Sequence, residues 1–425
     1  MKEYLKKLPA EIKKLIRLAK DIALAKQIRV YLVGGFVRDM LLGAGNLDLD
    51  IVVEGNGIIF AEDFARILKA KLTRHLRFGT ATLVIPKSGL KIDIATARKE
   101  TYPAPAHLPE VISGRLQDDL KRRDFTFNAM AVSINRDNFG ELIDFFQGRK
   151  DLLEKKIRIL HNLSFIDDPT RILRAIRFEQ RFNFRMERNA LARLKEAVQG
   201  NMLKKVQPQR LRDELILLLK EERPIKQIKR LQQLAGFGFI HPRLSLSGKG
   251  YNLLHLLENQ IAWFKKQGLR QRQIDTWLVY FIGLIDSLGA PAAKSICRRF
   301  AFTKEETKSI LSSQRVTLAL IRQLSRKKIP PARIFALLEP LSDEAILLAK
   351  AKSYQTNAAK NIRDFLKVYS GMRIDVCGED LRKLGITPGP DYRKILKKIL
   401  EAKLNAKVKT REEELALIRK IIQAQ

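Results

Sequence analysis

The stretch that decides the fold is Tyr31-Leu32-Val33-Gly34-Gly35-Phe36-Val37-Arg38-Asp39, which is followed by Leu47-Asp48-Leu49-Asp50-Ile51-Val52-Val53. The first segment predicts a short apolar strand that runs through two glycines into a helix. Adjacent glycines leave bare backbone N–H groups at a helix start, where a phosphate can approach closely. We therefore predict that Gly34 and Gly35 bind a phosphate, with Arg38 adding positive charge one helical turn later.

Two carboxylates alternate with apolar residues in the second segment. In a strand this spacing places Asp48 and Asp50 on the same face, about 7 Å apart. Their charges repel unless cations lie between them, and Mg²⁺ that also holds substrate phosphates is the usual occupant. A glycine pair or a strand with two aspartates is common without such a site. Their conjunction favours a site that binds metal and phosphate together.

Length and charge limit the possible classes of protein. The 425 residues are too many for one simple core and predict about two to four domains. A total of 81 Lys and Arg against 46 Asp and Glu gives a net charge of +35. Such an excess indicates a polyanionic partner, although charge alone does not separate RNA from DNA or an acidic membrane surface.

The apolar pattern and the cysteines exclude other classes. No run of about 18 apolar residues occurs, and the N-terminal segment is amphipathic without a signal-peptide core. We expect no membrane association and a cytoplasmic protein. Cys297 and Cys377 have no His or Cys at ligand spacing, so neither a disulfide framework nor a zinc site is indicated.

Periodicity divides the chain into an α/β part and a helical part. We predict helices over residues 1–28, 36–42 and 57–70, and strands over 29–33, 47–53, 80–86, 90–96, 125–135 and 141–146. From about residue 152 onward, the apolar positions recur at helical spacing. The prediction is therefore an α+β chain, with an α/β head that holds a small mixed sheet and helical domains after it.

A further carboxylate, Asp93, lies between apolar neighbours in a predicted strand. A lone aspartate on a strand is usually structural. If this strand lies beside Asp48 and Asp50, Asp93 would be a third catalytic carboxylate. The proline-rich segment after it, residues 97–111, predicts an extended or mobile loop beside the site.

A second group of polar residues occurs in the stretch Arg122-Arg123-Asp124-Phe125-Thr126-Phe127-Asn128. Without context, two arginines that enter a strand are more often a solvated strand start. Beside a triphosphate, Arg122 and Arg123 can bind phosphate or ribose through bidentate hydrogen bonds, and Asp124 and Asn128 can bind sugar hydroxyls.

A third group begins at Asp167-Asp168-Pro169-Thr170-Arg171. Asp168 is a good N-cap and Pro169 suits the first helical position, so a helix is predicted from here. At about 100° per residue, its arginines fall within one arc of roughly 120° and its apolar residues face the core. The arginines are Arg171, Arg174, Arg177 and Arg181. Taken alone, this helix would be a basic surface that contacts RNA non-specifically.

Several of these segments resemble one family. GGFVRDMLLG (34–43), DLDIVVEG (48–55) and RRDFTFNAMA (122–131) are similar to motifs of the class II tRNA nucleotidyltransferase and bacterial poly(A) polymerase family, in the family's order. The resemblance covers residues 29 to about 215 and is weaker in the C-terminal part. It implies a polymerase β-like nucleotidyltransferase head and all-α neck, body and tail domains, at 1–152, 153–220, 221–340 and 341–425.

The resemblance also implies roles for the residues named above. Asp48 and Asp50 would hold two Mg²⁺ ions, and Gly34, Gly35 and Arg38 would hold the triphosphate. Asp168 and Arg171 would hydrogen-bond the edge of the incoming base in place of a nucleic-acid template. The supporting residues would be Arg174 and Arg177, next to the base or the phosphates. Asp167 stands where the family has Glu.

Two more segments resemble later family motifs. In the neck, Arg210 and Glu214 would pair at i, i+4 and brace the base pocket. In the tail, residues 378–390 predict a turn that presents a helix start at Tyr392.

The implied activity is transfer of nucleotides from CTP and ATP to the 3′ end of tRNA, with release of pyrophosphate. The implied partner is the tRNA 3′ end with its acceptor and TψC arm. Family members add CCA, only CC, only the final A, or a poly(A) tail. The run ATARKETYPAPAHLPEV (95–111) is most similar to bacterial enzymes that divide CC and A addition between two proteins, especially the A-adding ones. Residues 74–80 differ from the Gly-Arg-Arg-Phe signature of the poly(A) polymerases and are closer to the tRNA enzymes. An RNA-binding relative without catalysis is a further alternative.

Overall fold

The computed structural model describes residues 1–44, 48–86, 88–269, 274–354 and 356–423. Two compact units divide the chain, at residues 1–235 and 236–425. The predicted head and neck both fall within the first unit, and the finer division into four domains stays a prediction. Leu47, which begins the predicted strand 47–53, lies outside the described residues.

The N-terminal segment forms two helices, α1 (Lys2–Lys7) and α2 (Ala10–Ala25). The prediction of one helix over residues 1–28 is therefore wrong. Pro9 explains the break, because a residue before proline is driven out of the helical region and Leu8 is extended, with ψ 151°.

Strands of the first unit follow in chain order. They are β1 (Arg29–Val33), β2 (Leu49–Glu54), β3 (Lys71–His75), β4 (Thr80–Val84), β5 (Lys91–Thr96), β6 (Arg98–Thr101), β7 (Glu110–Ser113), β8 (Ala131–Ser133), β9 (Leu142–Ile143), β10 (Lys156–Ile157) and β11 (Arg185–Met186).

The main sheet, as far as the chain is described, has seven strands in the order β3-β4-β5-β2-β1-β8-β9. β2 and β5 are parallel and the other neighbours are antiparallel, which confirms the mixed sheet. The register places Asp50 directly beside Asp93. Helix α4 packs against β2, β3, β4 and β5, and Leu116 and Leu120 pack with Tyr31 and Val33 of β1.

Two segments of the head differ from prediction. Instead of a loop over residues 97–111, β6 and β7 form an antiparallel hairpin that pairs Lys99 with Ile112. Within the predicted strand 125–135, residues 131–133 form β8 and residues 126–128 form a 3₁₀ turn, while the extended Phe125 makes an isolated bridge with Ile159. The Asp124 side chain explains this turn, because it accepts the Phe125 N–H and thereby competes with a strand ladder.

Helices of the first unit surround the sheet and continue beyond it. After α1 and α2 they are α3 (Gly34–Leu42), α4 (Gly57–Leu68), α5 (Leu116–Lys121), α6 (Gly148–Leu153), α7 (Ser164–Asp167), α8 (Thr170–Phe182), α9 (Arg188–Gln199), α10 (Pro208–Leu219) and α11 (Pro224–Leu234). Helix α3 begins two residues earlier than predicted, at Gly34. The short parallel pair β10–β11 corrects the prediction of purely helical structure after residue 152.

The second unit is built from helices. They are α12 (Gly248–Lys266), α13 (Thr276–Ile285), α14 (Ala290–Arg299), α15 (Lys304–Ser313), α16 (Leu318–Leu324), α17 (Pro331–Leu338), α18 (Asp343–Lys352), α19 (Asn357–Lys367), α20 (Gly378–Lys383), α21 (Pro390–Leu404) and α22 (Arg411–Gln423). Helix α21 begins at Pro390, two residues before the predicted start at Tyr392. Cys297 is buried and Cys377 is exposed.

Within the described ranges, none of the helices has both the length and the apolar character needed to span a bilayer.

Candidate active site

A cavity of about 630 Å³ lies in the first unit, between the start of α3 and the side of α8. Every predicted nucleotide-binding residue lines it, together with Asp50. These residues are Gly34, Gly35, Arg38, Arg122, Arg123, Asp124, Asn128, Asp168, Arg171, Arg174 and Arg177. Asp48 and Asp93 do not belong to the wall. Segments up to about 175 residues apart in sequence, from Gly34 to Arg210, thus meet at one site.

The glycine pair allows close contact at one end of the cavity. Gly34 has φ +62°, in the left-handed region that favours glycine. A Cβ atom at this position would clash with Nη1 of Arg123, and one at Gly35 would lie 3.4 Å from Oδ2 of Asp50. The first turn of α3 therefore has glycines because an arginine and a carboxylate both lie against it and leave little room for side chains.

Three carboxylates lie close together at this end. Asp50 lies beside Asp93 in the sheet. Asp48 is exposed and precedes Asp50 by two residues. Burial raises the pKa of Asp50 to about 6; Arg123 opposes this rise, whereas Asp93 and Asp48 add to it. Asp93 itself accepts hydrogen bonds from Thr82 Oγ1 at 2.6 Å and Lys91 Nζ at 2.5 Å.

These residues fit a divalent cation by their chemistry. Within the described residues, no group of three or more His, Cys, Asp or Glu has the arrangement of a complete metal site. Mg²⁺ commonly takes one or two protein carboxylates and completes its shell with water and substrate phosphates. Burial is the main cause of the raised pKa of Asp50, and the charges of Asp93 and Asp48 add to it. A bound cation would stabilise the ionised form of this carboxylate.

The two arginines of the second motif are fixed from behind by Asp119, a residue that the sequence analysis missed. This carboxylate is fully buried and accepts hydrogen bonds from Nη2 of Arg122 at 2.5 Å and of Arg123 at 3.0 Å. Burial would raise the pKa of Asp119, but Arg123 and Arg122 outweigh it and lower the pKa. Both guanidinium groups are thereby held at the cavity wall.

Asp124 connects the head to α8. It accepts hydrogen bonds from Arg174 Nη2 at 2.7 Å and Asn128 Nδ2 at 2.9 Å. Burial would raise the pKa of Asp124, but Arg174 and Asn128 outweigh it and lower the pKa to about 2. Arg174 also donates to Glu214 at 3.0 Å. The predicted pair of Arg210 with Glu214 is therefore wrong. Glu214 accepts from Arg174 and lies 3.5 Å from Arg177 Nη2, whereas Arg210 donates to Asp168.

The two predicted base-reading residues are each held by other partners. Arg210 donates to Asp168 Oδ1 at 2.9 Å. Arg171, only 4% exposed, donates from Nη1 to Ser164 Oγ at 2.7 Å and from Nη2 to the Arg122 carbonyl at 2.6 Å. Helix α8 begins at Thr170 with Pro169 as its N-cap, so the prediction of Asp168 as N-cap and Pro169 as first helical residue is wrong by one position. Asp168 Oδ1 nevertheless accepts the Thr170 N–H at 3.2 Å.

The β6–β7 hairpin forms a wall of the cavity that the sequence analysis described only as a loop. Arg98, Glu100, Tyr102 and Pro109 all line the cavity. The first three alternate along the chain, so the period-2 pattern of a strand could have indicated that they share one face.

Charge indicates the kind of ligand. Nine arginines and four carboxylates line the cavity, so its potential favours an anion. Arg38 is largely occupied within the protein, since its guanidinium donates to Asp39 at 2.7 Å and to Asn128 at 2.7 Å and is 6% exposed.

Comparison with known proteins gives the family. Residues 30–158 match the poly A polymerase head domain. The A-adding tRNA nucleotidyltransferase of Halalkalibacterium halodurans is 34% identical over 384 residues, which cover 88% of this chain and 84% of that protein. The chain belongs to the tRNA nucleotidyltransferase family.

Two further family members extend the comparison. The A-adding tRNA nucleotidyltransferase of Geobacter sulfurreducens is 40% identical over 92% of this chain, which spans only 45% of that relative's length. The solved structure of the Thermotoga maritima CCA-adding enzyme with tRNA has a TM-score of 0.75 at 35% identity, and covers 99% of this chain and 98% of that one.

The raised pKa of Asp50 generates a prediction about stability. A carboxyl group with a folded pKa of about 6, against 3.8 ordinarily, contributes stability below pH 3.8, and this contribution is lost as pH rises through 6. Asp50→Asn removes the charge, so without divalent cations we expect about 1 to 3 kcal/mol of added stability at pH 7.5 and almost none at pH 4. Thermal unfolding followed by circular dichroism in EDTA measures both values.

Asp137→Asn is the matched control, because this carboxylate is 61% exposed and its loss should change the unfolding temperature little. An Asp50→Asn protein that is less stable than the parent at pH 7.5 would contradict the interpretation.

Proposed function

We propose that this chain transfers a nucleoside monophosphate from a nucleoside triphosphate to the 3′-hydroxyl of tRNA and releases pyrophosphate. The observation that carries the proposal is the single cavity, which has Asp50 and the glycine turn at one end and Asp168 and Arg171 at the other. Its size and charge suit a nucleotide whose phosphates lie at the first end and whose base lies at the second. The named activities of the relatives support the same reaction.

At the phosphate end, Asp48 and Asp50 would hold Mg²⁺. When bound, Mg²⁺ lowers the pKa of an attacking hydroxyl and offsets charge on the triphosphate. We propose that Asp93 is a third carboxylate of this centre that acts by its charge, since Thr82 and Lys91 already occupy its oxygens. Lys91 fixes the orientation of Asp93 beside Asp50.

The triphosphate would lie along the start of α3. The backbone N–H groups at Gly34 and Gly35 supply donors. Arg123, which lies against Gly34, and its neighbour Arg122 supply positive charge. Arg38 contributes mainly by orienting Asn128, because its own donors are used within the protein. Asp124 and Asn128 would accept or donate hydrogen bonds to the sugar hydroxyls.

The base would be recognised by the start of α8. A carboxylate and a guanidinium offer acceptors and donors that can match a base edge without a nucleic-acid template. Arg210 and Ser164 hold Asp168 and Arg171 before any ligand arrives, so that little ordering is needed on binding. Arg174 and Arg177 support the site from the same helix.

The nucleotide added is proposed to be a single A, at the end of tRNA that already carries CC. The relatives from Geobacter and Halalkalibacterium are both A-adding enzymes, and residues 95–111 resemble those enzymes in sequence. The basic surface of the chain, with its net charge of +35, would bind the tRNA acceptor and TψC arm through phosphates.

Incubation with defined tRNA ends tests the reaction. We would present tRNA ending at the discriminator base, at C and at CC, each with one nucleoside triphosphate, and sequence the products. AMP added once to the CC end alone is the expected result. The Asp50→Ala protein is the control, with tRNA binding retained and incorporation lost.

Other products would lead to other conclusions. Two CMP additions without AMP would identify a CC-adding enzyme, and additions of both nucleotides a CCA-adding one. Long A tails on unrelated RNA would mean a poly(A) polymerase. Failure to incorporate any nucleotide would overturn the proposal and leave an RNA-binding protein.

Base recognition by Arg171 yields a separate prediction. Arg171→Ala should weaken discrimination between ATP and the other three nucleotides by about 1 to 3 kcal/mol, because a buried base-edge contact is lost. The ratio of kcat/KM values for the four nucleotides measures this effect. Arg136→Ala, on an exposed arginine away from the cavity, should leave the ratio unchanged. A parental nucleotide preference in the Arg171→Ala enzyme would remove the recognition role.

A further inference from the structure

One side chain of the cavity has no role in the proposed reaction so far: Tyr102, at the end of β6. It is half-buried and lines the same cavity as Asp168 and Arg171. The hairpin that carries it is tied to the turn before α8, because the Ala106 N–H donates to the Ile166 carbonyl at 3.1 Å. The position of Tyr102 relative to the base-reading residues is therefore fixed by backbone contacts.

The hydroxyl end of Tyr102 is anchored within the wall. It donates to Glu100 Oε2 at 3.2 Å, and the other oxygen of Glu100 accepts from Arg98 at 2.8 Å and Arg122 at 3.0 Å. This chain of hydrogen bonds orients the phenol, so the ring is held in the cavity wall by one edge.

Tyr102 lines the same cavity as both base-reading residues. Burial raises the pKa of Tyr102 to about 12; Arg171 opposes the rise, whereas Glu100 and Asp168 contribute to it. Tyr102 is therefore a neutral phenol at physiological pH.

The faces of this ring differ from those of the nearby aromatic residues. Phe178, which also lines the cavity, packs against Phe125, Phe127 and Phe182 at centroid distances of 5.6 to 5.9 Å, and three arginines lie over it. Among the described residues, neither a ring nor a cation stacks on Tyr102. An aromatic face without a stacking partner, beside groups that suit a base edge, is the surface on which a nucleobase stacks.

We infer that Tyr102 is the stacking platform for the base of the incoming nucleotide, which Asp168 and Arg171 contact along its edge. The inference rests on the proposed function, since it takes the cavity as a nucleotide site. Stacking adds affinity for any base and adds most for the larger purine surface. Tyr102 would thus favour ATP over CTP in addition to the selection made by hydrogen bonds.

Binding of ATP and of inorganic tripolyphosphate tests this, because the second ligand has no base. Both are titrated by calorimetry with Mg²⁺ and without tRNA, using the parent, Tyr102→Leu and Tyr102→Phe. Tyr102→Leu should bind ATP about tenfold more weakly and tripolyphosphate as the parent does. Tyr102→Phe keeps the ring and should bind both ligands within about twofold of the parent.

Tyr354→Leu is the matched control, because this tyrosine is 57% exposed in the second unit; its affinities should not change. Thermal unfolding shows whether each variant is folded. Parental ATP affinity in Tyr102→Leu would overturn the inference. An equal loss for ATP and tripolyphosphate would also overturn it, by showing that Tyr102 maintains the phosphate end through Glu100.

The experiments distinguish a failure of the proposed transfer reaction from a failure of the stacking role. A parent protein that adds no nucleotide to any tRNA, but binds ATP more tightly than tripolyphosphate in a Tyr102-dependent way, would retain the stacking role while losing the reaction. A parent protein that binds ATP no more tightly than tripolyphosphate would exclude stacking, whatever its activity.

Discussion

The ion pair between the buried Asp124 and the partly exposed Arg174 holds the two halves of the site together. Asp124 belongs to the turn before β8, Arg174 belongs to α8, and two N–H groups of the guanidinium bind one carboxylate oxygen at 2.7 and 3.0 Å. Loss of Arg174 would leave the buried carboxylate without its charge partner, which is destabilising. Helix α8 is therefore fixed over the sheet, and the residues proposed to bind phosphate and base face the same cavity.

The same principle organises much of the wall, because most of its arginines have a carboxylate behind them, whereas Arg171 is held by Ser164 and a backbone carbonyl. Asp119 holds Arg122 and Arg123, and Glu214 accepts from Arg174. Paired in this way, the guanidinium groups are oriented before a ligand binds, which suits the recognition of a charged substrate at low entropic cost. The excess of arginines leaves the cavity positive even though most of them are paired.

Local patterns in the sequence predicted the parts of the site that depend on neighbouring residues. The glycine pair, the alternation of Asp48 with Asp50, and the arginine stripe that starts after Asp168 each follow from one turn or one period. Asp119 was missed although it precedes Arg122 and Arg123 by three and four residues, which is the spacing of ion pairs on a helix. The pairs Asp124–Arg174 and Asp168–Arg210 did not follow from the sequence, because they are 50 and 42 residues apart and only the fold brings them together. The β6–β7 hairpin was also missed, because three prolines in residues 97–111 resemble a loop although they lie between the paired strand residues.

The central claim is that one nucleotide spans the cavity from the carboxylates to the start of α8. The most direct measurement is a crystal structure of the chain with a non-hydrolysable ATP analogue and Mn²⁺, with the ions located by anomalous diffraction. We expect Mn²⁺ at the carboxylates of Asp48 and Asp50 and the adenine edge within hydrogen-bond distance of Asp168 and Arg171. Mn²⁺ bound away from both carboxylates, or an adenine whose edge faces away from both base-reading residues, would contradict it.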